Sequence, residues 1–167
     1  AALRQGFELL RDYTDASGKP LTSIGMGQQV DVHLKFRSIE RDYLSSMALV
    51  DLLPGGFELV VPSQEAQTPF AEASTQEGEG EEYEGDYSGW SCQVCVGRRN
   101  ARMQYADMRE DRVVFYVDAT KDMSEIVYRI KATNVGNYVV PPAYGEAMYD
   151  RGVVGRSAAG ELGVSRP

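Results

Sequence analysis

The sequence predicts an all-β protein, an antiparallel β-sandwich of about seven to nine short strands with a long acidic insertion. Three observations carry this. Residues 29–36 alternate Val30, Val32, Leu34 and Phe36 against Asp31, His33, Lys35 and Arg37, a period of two that gives one face to the core and one to water. Further short runs rich in Val, Ile, Tyr and Phe recur between turn signals, without the spacing of an amphipathic helix. Ten tyrosines against one tryptophan add to the strand character.

Taken in order, Phe7 to Tyr13 is the first strand, and Asp15-Ala16-Ser17-Gly18-Lys19-Pro20 is a dense turn signal after it. Gly25 and Gly27 lead into the alternating strand 29–36. The apolar run from Tyr43 to Leu53 ends at Pro54-Gly55-Gly56 and resumes over Phe57 to Val61, which predicts two strands around a corner. From 64 to 89 the composition changes to Glu, Gly, Ser, Thr and Gln, with Glu77, Glu79, Glu81, Glu82, Glu84 and Asp86 close together. Such a segment buries too little apolar surface to order itself, so 62–103 is expected to be an acidic, partly mobile surface insertion. Order is expected to return near Tyr87 to Met103. Arg112 to Asp118 and Glu125 to Thr133 are two further strands, and Asn134-Val135-Gly136-Asn137 turns the chain into Tyr138.

The stretch Tyr138 to Tyr149 organises the end of the chain. Tyr138, Val139 and Val140 form strands readily, whereas Pro141 and Pro142 cannot donate to a ladder, so the sheet is expected to stop there. Beyond it Tyr144, Met148 and Tyr149 are expected to pack down as a strap or short final strand, with 150–167 as a tail. All of 1–167 is read as one domain.

Length and charge bound the function. A chain of 167 residues suits a single core. A net charge of −8 and a pI near 4.7 argue against nucleic acid, because phosphate binding needs clustered Lys and Arg. Lysines occur only at 19, 35, 121 and 131. No run approaches the roughly 20 apolar residues of a membrane span, so direct membrane insertion is not expected. The start at Ala1, without methionine or signal peptide, is read as that of a fragment or a mature product.

Three stretches carry a resemblance. Val50-Asp51-Leu52-Leu53-Pro54-Gly55-Gly56-Phe57-Glu58, then Asp107-Met108-Arg109-Glu110-Asp111-Arg112-Val113-Val114, then Tyr128 to Asn134 running through Tyr138 to Tyr149 and on to Gly155-Arg156-Ser157, resemble in order and spacing the C-terminal end of bacterial alpha-2-macroglobulins. The resemblance covers 43–61 and 104–157 well and 62–103 weakly. It implies the last macroglobulin domain, a sandwich similar to the receptor-binding domain of the animal proteins. It also implies a large periplasmic precursor held at the inner membrane by an N-terminal lipid and often encoded beside a peptidoglycan synthase. Members trap proteases: cleavage of a bait region triggers a conformational change, and in many an internal thioester captures the protease. The implied partners are therefore other domains of the same precursor, proteases through the full-length protein, and envelope proteins. Cys92-Gln93-Val94-Cys95 departs from the family's Cys-x-Glu-Gln thioester motif, which puts the thioester upstream or, as in one subgroup, nowhere. The animal receptor-binding lysines have no counterpart between Lys35 and Lys121, so receptor binding is not carried over.

Individual residues give no catalytic site and no cofactor. Cys92 and Cys95 are read as a local disulfide in an oxidising periplasm, pinning the end of the acidic loop near Trp90, with a redox pair and two free thiols as the alternatives. A redox pair would want a helix start that the strand pattern does not offer. Zinc lacks ligands, since only His33 joins the two cysteines. His33, on the polar face of its strand, is read as a solvated or hydrogen-bonded surface residue. The glycines among the acidic residues do not follow an EF-hand spacing. What remains is an interaction surface: Tyr83, Tyr87 and Trp90 beside the acidic cluster as aromatic anchors, and Tyr144 with Glu146 as an interdomain contact, with Tyr149 expected in the core.

Overall fold

The computed structural model of the protein describes residues 1–62, 92–96 and 101–167. Among them are thirteen strands and no helix: β1 (Leu3–Gln5), β2 (Phe7–Thr14), β3 (Ser23–Gly25), β4 (Gln29–Ser38), β5 (Tyr43–Leu52), β6 (Phe57–Val60), β7 (Arg102–Met108), β8 (Arg112–Thr120), β9 (Ser124–Ala132), β10 (Gly136–Val140), β11 (Tyr144–Ala147), β12 (Asp150–Arg156) and β13 (Gly160–Ser165). They form a six-stranded sheet β1-β12-β11-β5-β8-β7, a four-stranded sheet β2-β4-β9-β6 and a three-stranded sheet β10-β13-β3. Strand pairs are antiparallel except β13 with β3. The all-β sandwich is therefore as expected, while the strand number exceeds seven to nine. Part of the excess is the short strands β1, β3 and β11, where three or four residues are too few to show a period.

Alternation selects the core. Val30, Val32 and Leu34 of β4, paired across the strand with Ile130, Tyr128 and Ile126 of β9, join Phe36 and the β8 residues Val113, Phe115 and Val117 of the other large sheet in one buried cluster. The two large sheets exchange chain at glycine-marked corners. Gly6, at φ +70, separates β1 in the six-stranded sheet from β2 in the four-stranded one. Pro54-Gly55-Gly56 carries the chain from β5 to β6 in the same way.

The end of the chain differs from the expectation. The sheet does not stop at Pro141: the two prolines form a short link, and β11 enters the six-stranded sheet between β5 and β12. Residues 150–167, expected as a tail, carry β12 and β13, with Leu162 and Val164 buried. Glycines hid these strands, because where Gly145 and Gly155 pair across β11 and β12 the core is filled by the Phe7 ring from β2. A Cβ on Gly155 would stand 2.7 Å from Phe7 Cδ1 and 2.8 Å from its carbonyl oxygen. Residues 92–96 and 101–103 lie in the stretch where order is expected to return: Cys95 bridges to Tyr128, Val94 is buried, and Arg102 opens β7.

Candidate functional site

Two charges lie where alternation demands apolar residues. Arg11 shares its phase with Phe7, Leu9 and Tyr13 on β2, and Asp51 shares that of Met47 and Leu49 on β5. Their side chains are 2% and 1% exposed and form an ion pair between the two large sheets, Arg11 Nη1 to Asp51 Oδ1. The Tyr128 hydroxyl of β9 donates to Asp51 Oδ2 at 2.6 Å. Arg11 Nη2 donates to the Pro141 carbonyl at 2.5 Å, and the guanidinium carbon lies 5.4 Å from the Tyr13 ring centroid. Burial raises the Asp51 carboxyl, against the pull of the Arg11 charge and the Tyr128 hydrogen bond. Burial also raises Tyr13 and Tyr128, followed by the Asp51 charge, so both phenols keep their protons. The group is thus a polar tie: β2, β5, β9 and the link before β11 meet on one carboxylate and one guanidinium.

A second cluster explains the Pro-Gly-Gly corner. Tyr138 of β10 lies against Gly55, Gly56 and Gly136, and a Cβ on Gly56 would stand 2.3 Å from Tyr138 Cζ. The Tyr138 hydroxyl reaches the carbonyls of Asn134 at 3.1 Å and Val135 at 3.2 Å. Phe57 meets the ring edge-on at 6.2 Å between centroids, and Leu53 donates to the Asp111 carbonyl at 2.8 Å. The separated motif stretches around 50–58, 107–114 and 128–149 therefore meet in space.

The polar tie supports an outward face. Tyr144 and Glu146 project from β11 away from the core, and the Tyr144 hydroxyl donates to Glu146 Oε2 at 2.9 Å, a bond that raises the phenol. The residues just beyond differ from the expectation. Tyr149, expected in the core, is 86% exposed, and Met148 is 51% exposed. They form the two-residue tip between β11 and β12, and Ala147 and Asp150 pair behind them. A two-residue tip leaves its side chains no sheet to pack on.

Elsewhere, Cys92 and Cys95 form a disulfide with 5.4 Å between Cα atoms. His33 is half-buried, with Nδ1 2.7 Å from Glu125 Oε1 and Nε2 2.8 Å from Thr14 Oγ1. Tyr83, Tyr87, Trp90 and the acidic cluster at 77–86 lie outside the described residues. Among the described residues no three His, Cys, Asp or Glu side chains come together as a metal site. The two open concavities near β3 and β13 are lined mainly by small and polar residues such as Lys19, Thr22, Ser23 and Asn137.

Comparison with known proteins decides the family. The family model for the bacterial alpha-2-macroglobulin MG10 domain matches residues 6–151. The chain belongs to that family. An alpha-2-macroglobulin homolog of Yersinia pestis is 45% identical over 152 residues, 91% of this chain and 7% of the relative. An alpha-2-macroglobulin of Pasteurella multocida is 34% identical over 166 residues, 99% of this chain and again 7% of the relative. The chain thus spans less than a tenth of either relative. Among solved structures, the native conformation of E. coli alpha-2-macroglobulin has the same fold, with a TM-score of 0.71 at 24% identity over 100% of this chain and 10% of that one. E. coli alpha-2-macroglobulin activated by porcine elastase gives 0.70 at 25% identity over 99% of this chain and 14% of that one. In this MG10 domain, then, the resemblance seen in the three motif stretches is membership, and the polar tie and the Tyr138 corner show what those stretches build.

Sequence reasoning misses Arg11, Asp51 and the exposed tip. A signal exists for the first two, since each is a charge in phase with core residues. None exists for the tip, because Met and Tyr carry the same apolar signature buried or exposed.

Proposed function

We propose that this chain acts as a non-catalytic domain of a periplasmic, alpha-2-macroglobulin-type protease trap, held at the inner membrane through the rest of the precursor. It contributes contacts to neighbouring domains of the same polypeptide. The observation that carries this reading is the tip, where Tyr149 stands 86% and Met148 51% exposed beside Tyr144 and Glu146, on strands anchored from within. Two large apolar side chains held in water at a hairpin tip are what a docking contact uses. The small share of each relative that the chain spans supports placing the partner within the same polypeptide. The Cys92–Cys95 pairing supports an oxidising compartment.

Such a contact must be made in one state of the trap and changed in the other when the bait is cut. The test is the full-length protein with Tyr144→Ala or Tyr149→Ala, followed by small-angle scattering before and after limited proteolysis. Altered compaction on cleavage, with the domain still folded, is expected. Compaction equal to wild type in both variants would refute the contact.

The distribution of charge favours a second reading, an interaction module in a cell-envelope complex of a thioester-free relative, with a partner such as a peptidoglycan synthase. Eight of the 25 acidic residues and none of the 17 Lys and Arg fall in 63–91, so that segment carries the whole net charge of −8. Docking of a basic partner there would weaken with salt. Partner capture that is indifferent to ionic strength would count against it.

A further inference from the structure

We infer that Ser46 and Asp118 are positioning residues that aim the Met148–Tyr149 tip, an inference that rests on the contact role proposed above. Among the described residues Ser46 is the one non-glycine with positive φ, at 57°, a left-handed conformation that an L side chain disfavours. It sits at a break in the β5–β8 register. Leu44 pairs with Ala119 and Met47 with Val117, so Ser45 and Ser46 face Asp118 alone. That is a β-bulge, which bends a strand and re-aims the residues beyond it.

Asp118 holds the bulge from the β8 side. Its Oδ1 accepts the Ser46 N–H at 3.1 Å, and its Oδ2 accepts the Tyr43 hydroxyl. On the other side of β5, the Ser46 carbonyl accepts the Met148 N–H at 2.9 Å, one residue beyond the pairing of Ala147 with Met47. The unusual φ thus lies between a carboxylate that fixes the Ser46 amide and the tip amide that its carbonyl receives.

The opposite side of the tip has its own anchor. Glu146 pairs with Val154 but Ala147 with Asp150, so Arg151, Gly152 and Val153 are extra on β12. The Asp150 carboxylate accepts the Gly152 N–H at 3.0 Å through Oδ1 and pairs with Arg41 through Oδ2. An exposed apolar tip held on both flanks, one flank with left-handed backbone at a residue that is not glycine, is an arrangement in which strain is retained for presentation.

The test is amide hydrogen exchange on the 167-residue chain, read at Met148 and, as a control in the other large sheet, at Ile130. Ser46→Gly, which takes positive φ freely, is expected to keep wild-type exchange at Met148. Ser46→Val, whose branched side chain opposes positive φ, and Asp118→Ala are each expected to speed exchange at Met148 at least tenfold, with Ile130 unchanged. Two results overturn the inference: exchange at Met148 as slow as wild type in Ser46→Val or Asp118→Ala, or acceleration of Ile130 to the same degree, which marks general loss of stability. Tyr149→Ala is expected to leave Met148 exchange unchanged. It removes the contact side chain and keeps the anchor, so in the full-length protein it tests the contact role independently of Ser46 and Asp118.

Discussion

Replacing Asp51 by alanine should be among the most damaging single changes in this domain, and the structure says how damaging. Arg11 and Asp51 are 2% and 1% exposed, so the substitution leaves a guanidinium buried with the Pro141 carbonyl as its remaining acceptor. It also leaves the Tyr128 hydroxyl without an acceptor. Removing one partner of a buried ion pair costs about 3–5 kcal/mol. For a domain of this size that is a fall in Tm of roughly 10 °C. Asp51→Asn keeps the shape but not the charge and should fall in the same range. Arg11→Met should cost a similar amount by leaving the carboxylate unpaired. The double variant Arg11→Met/Asp51→Leu removes both charges and fills the space, so it should lie within about 2 kcal/mol of wild type. The assay is urea denaturation at pH 7 of wild type, Arg11→Met, Asp51→Leu and the double variant, analysed as a double-mutant cycle with a coupling of about 3 kcal/mol or more, with Asp51→Ala and Asp51→Asn measured beside them. Costs that simply add in the double variant, or a cost below about 1 kcal/mol for Asp51→Ala, would refute the reading of these residues as one tie between sheets.

Single contacts give further predictions. Gly155→Ala places a Cβ 2.7 Å from the Phe7 ring and 2.8 Å from the Phe7 carbonyl. It should cost about 1–3 kcal/mol by overpacking, and a thermal melt unchanged from wild type would count against that packing. Asp15, Asp111 and Asp150 lie below the ordinary carboxylate value, chiefly through hydrogen bonds from Ser17, Arg112 and Arg41 respectively. Their folded forms hold the proton less tightly than the unfolded chain, so their contribution is present above about pH 4 and lost as pH falls through the lowered values. Urea midpoints should therefore drop below pH 4, and less steeply in Asp150→Asn; an identical acid slope in that variant would contradict the assignment. Purified under oxidising conditions, the chain should show no thiol reactive towards a maleimide until it is reduced, and two afterwards; two before reduction would contradict the bridge between Cys92 and Cys95.

The sequence makes legible those elements whose whole length obeys one period. β4, β8 and β9 alternate cleanly, and their in-phase residues are the buried ones. It conceals elements in which glycine replaces the expected apolar residue. On β11 and β12 the core is filled by a ring from another strand, so Gly145 and Gly155 look like loop residues in one dimension. Register breaks conceal more: the bulge at Ser45 and Ser46 shifts phase within a single apolar run, and nothing in Leu44-Ser45-Ser46-Met47 marks it. Of the proposed surface, Tyr144 and Glu146 are visible from the sequence, yet the neighbouring Met148 and Tyr149 read there as packing residues. Hydrophobicity gives the reward for burial but not the geometry that denies it. Asp51 and Arg11 are within reach, because a charge in phase with a core face needs a partner, but which partner belongs to topology: the pair joins residues 40 apart in the chain.

We propose that the β11–β12 tip meets a neighbouring domain of the same polypeptide. Hydrogen exchange across 144–149 tests it most directly, measured in the 167-residue chain alone, in the full-length protein, and in the full-length protein after limited proteolysis. Exchange is expected to be slower in the intact full-length protein than in the isolated domain, with a change in that protection after cleavage. Identical exchange over 144–149 in all three would contradict it.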